Sequence, residues 1–416
     1  MKMTYRAIVL IFVVIETFTI IQGYILFREW VPMGLMCAVS MLMYPKAFLN
    51  KSALCLFLYG GILMMFAGMG HAIANPRWVL IEIMVILSCF SIIAVFTYNL
   101  DFFGLKTVTV VGLLIILIIA LLTIPLAIND PMAVRRMVTY SVTGNTFQIQ
   151  SYQRQGMASF GLVHAFPFLC SLLVLHVKSG KNYLFRIFAA VVLLVTYYML
   201  VKASFATPLI LSSFAIAYAL VLSKNNKRNI VVGIVMVCFL SFFLNKEIIV
   251  SNLETVNKLF FVNTPIAEKI DHVVSSLKHN KSEEQVAGRE KAYKRSWDTF
   301  FENPLIGNLK KDQAGGHAYF ADRLAYFGLL GSVPFFMFFY FTIKNSFSLL
   351  SNNVRPHYLL AVATFIPLAL LKNITGVENF LYLLVFLPGL GLLAEPAAET
   401  GGQRIAHSGS DNRGIA

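Results

Sequence analysis

Ionisable residues are scarce in this chain: Asp, Glu, Lys and Arg make up 13% of its 416 residues, against about 25% in soluble domains. Acidic residues are the scarcer sign, 20 against 34 basic ones. A nucleic-acid-binding domain would gather such an excess into one polar unit. Here it is dispersed between apolar stretches, so no nucleic-acid partner is expected, and orientation in a membrane together with anionic membrane ligands explains the charge better. There are only five cysteines, Cys37, Cys55, Cys89, Cys170 and Cys238, all in apolar segments without CxxC or histidine spacing. Neither a disulfide framework nor a zinc site is indicated, and the cysteines read as buried small hydrophobes. A sequence repeat of 20 to 50 residues and similarity between the two halves are also missing, which speaks against a transporter.

Apolar residues are abundant. They account for 58% of the chain, with 36 Phe and 16 Met among them, and the mean hydropathy is +0.72. A single soluble core of this length could not bury that much apolar surface, and a single membrane anchor would not use it. The composition predicts an all-α, polytopic bundle of about twelve transmembrane helices with two longer extracytoplasmic loops. Windows of about 20 apolar residues fall near 6–26, 31–45, 53–75, 78–98, 107–128, 158–178, 184–203, 205–223, 230–244, 318–343, 357–371 and 379–394. The second, ninth and eleventh are short. The first segment has no small-residue cleavage site and is expected to be a retained span.

With both termini cytoplasmic, Lys2, Arg6, Lys46, Lys51, Lys106, Lys178, Lys181, Arg186, Lys224, Lys227, Arg228, Lys344 and Arg355 fall at short inner loops and flanks. Only Arg28, Arg77, Lys202 and Lys372 fall at short outer ones. Retention of basic residues on the cytoplasmic side favours this orientation, and it sets Trp30 and Trp78 at the outer interface. The polar segments 129–157 and 245–317 then lie outside, where there is room for chemistry. Residues 1–394 form the membrane domain, and 395–416, small and polar, are expected to be a disordered cytoplasmic tail.

Residues 287–331, AGREKAYKRSWDTFFENPLIGNLKKDQAGGHAYFADRLAYFGLLG, carry the most information. Tyr293, Trp297, Phe300 and Phe301 share one face of a helix that Asn303-Pro304 stops, and that helix should lie against the membrane surface or the outer mouth of the bundle. Arg289, four residues before Tyr293, falls on the aromatic face, while Lys291, Arg295 and Asp298 lean toward solvent. An arginine on a buried side wants an anionic partner. His317, after Gly315-Gly316, stands where the tenth span begins, and its unperturbed pKa of about 6.5 lets it take a proton from a hydroxyl near neutrality. Asp322 and Arg323 follow within the first turns, and Gly328 and Gly331 form a close-packing stripe. Asp322 is roughly 140° around the helix from His317 and need not touch it.

Arg154 before the sixth span and Lys202 after the seventh stand at the same outer level. Arg154, Lys202, Arg289 and His317 thus converge from four segments into a basic outward pocket suited to a phosphate or pyrophosphate head group whose lipid tail stays in the bilayer. Blander readings compete: a snorkelling Lys202, interface anchoring by Arg154, an amphipathic cover at 289–302 and a capping His317. Glu16 and Glu82, inside spans, read as partners of polar neighbours or cavity lining more readily than as a proton path, and Glu378 could support the basic site.

The run Gly288-Arg289, Trp297, Phe300, Asn303-Pro304-Leu305-Ile306-Gly307, His317-Ala318-Tyr319-Phe320-Ala321-Asp322 and Ala325-Tyr326-Phe327-Gly328-Leu329-Leu330-Gly331 resembles the O-antigen polymerase and O-antigen ligase superfamily of bacterial envelope proteins. The detailed resemblance covers about 45 residues, and the layout of many spans with a large outer loop before the histidine is similar too. The resemblance implies an inner-membrane glycosyltransferase that moves a glycan from a polyprenyl pyrophosphate with inversion and without metal or cofactor. Arg289 would hold the leaving pyrophosphate and His317 would be the acceptor's general base or orienting group. Arg154, Lys202 and Asp322 would complete the substrate site. Where the family commonly has Ser-Arg after the seventh span, this chain reads Ala203-Ser204-Phe205, and Lys202 is the candidate replacement for that charge. The spacing of His317 and Asp322 favours the polymerase branch, with the ligase as close alternative. Membrane lipid and a chain-length regulator or flippase are the implied partners. A twelve-span transporter, favoured by Glu16 and Glu82, is the competing class, and a non-catalytic scaffold ranks last.

Overall fold

In the computed structural model the described residues are 2–22, 30–70, 76–130, 133–134, 155–158, 160–180, 182–203, 205–222, 284–308, 318–371 and 377–395, with isolated positions between 254 and 274. Among them the fold is all-α, with no strand. The helices are α1 (Lys2–Gln22), α2 (Trp30–Met43), α3 (Lys51–Gly68), α4 (Pro76–Tyr98), α5 (Phe102–Asn129), α6 (Phe160–Ser179), α7 (Tyr183–Lys202), α8 (Ala206–Val221), α9 (Glu284–Glu302), α10 (Tyr319–Ser348) and α11 (Arg355–Leu371). The last rod joins α12 (Val377–Leu381), a π turn (Tyr382–Phe386) and α13 (Leu387–Leu393). Six described helices are long and apolar enough to cross a membrane, and four shorter apolar ones accompany them. The chain is a membrane-embedded helical protein. The expected ninth span at 230–244, most of the loops 129–157 and 245–317, and the tail from residue 396 lie outside the described residues.

Side-chain contacts fix which helix ends lie together. Lys2 Nζ donates to Asn99 O at 3.1 Å, and Lys178 Nζ to Leu220 O at 2.7 Å. His176 Nε2–H donates to Leu390 O at 2.9 Å, and Glu395 accepts from the Ser351 N–H at 2.6 Å. These contacts gather the start of α1, the ends of α4, α6, α8 and α13 and the α10–α11 link at one end, here the Lys2 end. Helices α1 to α8 therefore alternate in direction, as do α11 and the last rod. Phe66, near the far end of α3, marks the opposite end, as does Thr123 of α5, whose Oγ1 accepts from the Ala158 N–H at 2.8 Å. Small residues let rods touch: a Cβ at Gly389 would stand 1.8 Å from Thr109 Oγ1, and one at Gly112 would stand 2.1 Å from the Phe386 ring, so α5 meets α13 and the π turn backbone to side chain.

The α4–α5 turn is a polar lock at the Lys2 end. Asp101 caps α5 through the Gly104 N–H at 3.0 Å and takes Arg6 in a two-pronged bridge at 2.6 and 2.7 Å. Burial alone would raise the Asp101 pKa; the bonds from Arg6 and the Gly104 N–H, with the charges of Arg6 and Lys2, outweigh it and hold the carboxyl below its ordinary range.

The window read as a single tenth span, 318–343, does not run straight. Gly328 breaks α10 with φ 56° and ψ −162°. Phe320 and Phe336 meet with ring centroids 5.2 Å apart, and Tyr319 and Phe335 at 5.8 Å, while Ser332 Oγ donates to Arg323 O at 3.1 Å. In a straight helix sixteen residues would separate two rings by about 24 Å. Residues 319–327 and 329–348 are thus two antiparallel arms of a tight hairpin. Its apex lies at the end opposite Lys2, because Phe327 stacks on Phe66 at 6.1 Å. Hydropathy could not reveal the fold-back, since both arms are apolar and the breaking residue is a glycine.

Candidate functional site

The hairpin apex is held by the chain that follows α9. Gly307 (φ 74°) and Gly328 (φ 56°) face each other so closely that a Cβ on either would stand 2.5 Å from the other strand's carbonyl carbon and oxygen. Only glycine supplies both the left-handed backbone and the clearance. Breaking a helix frees backbone groups that must be paired inside a membrane protein. Here Leu329 N–H donates to Pro304 O at 2.8 Å, Leu330 N–H to Leu305 O at 3.0 Å, and Asn308 N–H to Ala325 O at 2.8 Å. The Asn303–Gly307 turn and the Ala325–Gly331 run, far apart in sequence, form one backbone clasp.

Helix α9 lies beside the first arm and has three sides. Ala292, Ser296 and Thr299 are buried. Lys291, Arg295 and Asp298 are exposed, as their spacing predicts, and so is Lys294. Trp297 and Phe301, stacked with centroids 6.1 Å apart, are 40% and 70% exposed. The aromatic side is therefore the outward apolar one, and the small residues make the protein contact, a division suited to an interfacial helix.

Two adjacent ionisable residues of the first arm are buried and face different partners. Asp322 Oδ1 accepts from Ser296 Oγ at 2.6 Å, and Oδ2 accepts from the Ala318 N–H at 2.9 Å, which caps the arm just before its first residue. Asp322 is 6% exposed and Ala318 1%. Arg323, 4% exposed, pairs with Glu82 of α4 at 2.6 Å, and its Nη1 donates to Tyr59 OH of α3 at 3.1 Å. Tyr59 in turn donates to the same Glu82 oxygen. The guanidinium also lies over the Tyr319 ring at 4.8 Å and the Phe327 ring at 5.6 Å. Counted along α4 and α3 from the end opposite Lys2, Glu82 and Tyr59 sit about 9 to 14 Å inside. At that depth an uncompensated charge would cost about 3 to 5 kcal/mol, so each ion requires the other. Glu82 Oε2 has no hydrogen-bond partner among the described residues, leaving the network room for one further donor.

The residues expected to converge are placed unequally. Lys202 ends α7, half-buried, with Nζ 5.4 Å from the Tyr198 centroid, and no hydrogen bond or ion pair joins it to Asp322. Arg289 lies in α9, two turns before Ser296, with its side chain outside the described residues. Arg154 and His317 lie outside them altogether, as does the Glu378 side chain. Glu82 pairs with a polar neighbour, as expected of an acid inside a span, and its partner is Arg323. Sequence reasoning missed Ser296 and Tyr59. For Ser296 a signal exists, the small-residue spacing Ala292, Ser296, Thr299 on one helix side; for Tyr59 there is none. Among the described residues no group of three or more His, Cys, Asp or Glu side chains could hold a metal ion. No family model matches the chain, and no curated protein matches it.

Proposed function

We propose that this chain is a glycosyltransferase of the O-antigen polymerase and ligase type, acting as a polymerase of polyprenyl-pyrophosphate-linked repeat units of O-antigen or a related capsular or exopolysaccharide at the outer face of a bacterial inner membrane. The reading is carried by one observation: the segments bearing the resemblance, 288–308 and 318–331, fold as a single unit through the glycine clasp and the Ser296–Asp322 bond. Arg289 lies on the first of these segments, and His317 directly precedes the second in the chain.

In this reading His317 takes the proton of the acceptor sugar hydroxyl, whose oxygen attacks the anomeric carbon as the bond to the pyrophosphate oxygen breaks. A positioned base of this kind contributes about 10² to 10⁴ in rate. Charge accumulating on the leaving pyrophosphate is met by Arg289, with Arg154 and Lys202 beside it. The bilayer fixes the depth of the donor's reactive carbon, which reduces orientational loss. The ligase, which moves finished glycan to lipid A-core, shares donor and leaving group and differs in acceptor.

The test is a gel profile of surface polysaccharide and lipid-linked intermediates from a strain lacking the protein. Single repeat units identify a polymerase. Long chains stranded on the carrier with a bare core identify a ligase, and an unchanged profile rejects both. His317→Ala and Arg289→Ala are each expected to abolish long-chain glycan with the protein still inserted, and normal chains from either would remove its assigned role. Lys202→Ala should give an intermediate profile; a wild-type profile would reduce Lys202 to its contact with Tyr198.

A further inference from the structure

We infer that Asp322 is a positioning residue: its carboxylate clamps the helix that carries Arg289 to Ala318, the residue between His317 and the first arm. The inference rests on the proposed reading of those two residues. Its geometry does not. One oxygen is taken by Ser296 Oγ of α9 at 2.6 Å and the other by the Ala318 N–H at 2.9 Å. The Asp322 N–H also donates back to Ala318 O at 2.7 Å, so residue 318 is bound on both its polar backbone groups. Both carboxylate oxygens thus have a protein partner, and the group is buried. Such an acid is poorly placed to bind substrate and well placed to hold two backbone segments in register. The next residue fixes the clamp itself, since Arg323 ties the same arm to Glu82 of α4 and Tyr59 of α3. A misplacement near 1 Å from a change remote from the chemistry can cost about 100-fold in rate, and this clamp prevents such a shift between the leaving-group and base segments.

The experiment compares Ser296→Ala, Ser296→Thr and Asp322→Asn in full-length protein reconstituted with a lipid-linked repeat unit. Ser296→Ala removes the bond to α9 and leaves the helix cap; Ser296→Thr keeps the hydroxyl. Asp322→Asn removes the charge that strengthens both bonds: its one oxygen can keep only one of the two donors, and its amide can meet Ser296 Oγ only if that hydroxyl turns its proton to Ala292 O, 3.2 Å away. Asp322→Asn should lower kcat by about 100-fold and Ser296→Ala by about 10-fold, with KM for the donor little changed and thermal midpoints near wild type. Ser296→Thr should restore turnover, and hydrogen exchange at 318–322 should quicken in Asp322→Asn alone. Wild-type kcat in Ser296→Ala and Asp322→Asn, while His317→Ala and Arg289→Ala are inactive, would overturn the clamp and leave the proposed reaction standing. Activity in His317→Ala or Arg289→Ala would overturn both. A rise in KM without loss of kcat would make Asp322 a binding group and overturn the inference as well.

Discussion

Leu100 shows what single residues are asked to do in this bundle. It occupies the left-handed position of the turn that ends α4, with φ 51°, while its N–H donates to Thr97 O at 3.1 Å and the Asp101 N–H donates to Phe96 O at 2.8 Å. That pair of bonds is a Schellman arrangement, normally completed by glycine. The side chain is exposed, so it offsets little of the roughly 1–2 kcal/mol that a β-carbon costs there. Leu100→Gly should relieve that strain and lose about 0.4 to 1 kcal/mol through greater freedom of the unfolded chain. A net gain of about 0.5 to 1 kcal/mol is expected, read as a higher thermal midpoint of purified protein; a lower midpoint would show that Leu100 packs usefully. Nothing in the sequence marks this leucine, because its conformation is imposed from both sides, by the end of α4 and by Asp101 locked onto Arg6 and Gly104. Asp322 and Arg323 are more legible. Ionisable neighbours in an apolar run must each find a partner, but which partner depends on helices far away in the chain.

Among the elements, the broken helix α10 and its clasp depend on two glycines that sequence reading treats in opposite ways. Gly307 ends a recognisable Asn-Pro stop, whereas Gly328 reads as one more small residue on a packing stripe. Their mutual contact makes both indispensable: a Cβ at Gly328 would stand 2.5 Å from the Leu305 carbonyl, and one at Gly307 would press on Tyr326 in the same way. Left-handed strain of roughly 1–2 kcal/mol adds to an overpacking cost of about 1–3 kcal/mol. Gly328→Ala and Gly307→Ala should therefore each lose about 2–5 kcal/mol, seen as a fall in thermal midpoint and in the amount of folded protein. Gly61→Ala, where a Cβ meets open space within a helix, is the control and should be neutral or stabilising. Equal midpoints for Gly328→Ala and Gly61→Ala would mean that the clasp adjusts without cost. The charged side of α9 was legible because its period is local, but the aromatic side, read as the buried one, faces outward, and Ala292, Ser296 and Thr299 make the protein contact instead. The fold-back of α10 was not legible, because a hydropathy window averages over direction and two short apolar arms sum to the signal of one span.

At the scale of the whole molecule, alternation of helix direction brings the start of α1 and the end of α13 to the same end, together with Lys46, Lys51, Lys106, Lys178, Arg186 and Arg355 at helix termini or turns there. Clustering of basic residues at one end is what cytoplasmic retention predicts, and the sequence disclosed it before any contact was known. Depth and enclosure of the Glu82–Arg323 network were not disclosed, since they require α3, α4 and the first arm of α10 to meet. The proposed chemistry demands that Asp322 and the clasp lie on the extracytoplasmic side, where a flipped lipid-linked glycan is found. Two exposed positions decide this: Leu49, in the turn after α2 at the Lys2 end, and Met69, just past α3 at the end that carries Phe66 and the hairpin apex. In a background without the native cysteines, Met69→Cys should react with a membrane-impermeant maleimide on spheroplasts. Leu49→Cys should react only in inverted vesicles. The opposite pattern would turn the hairpin apex and the α9 surface toward the cytoplasm, away from any externalised polyprenyl-linked donor, and the polymerase and ligase readings would fall together while the fold described here stood unchanged.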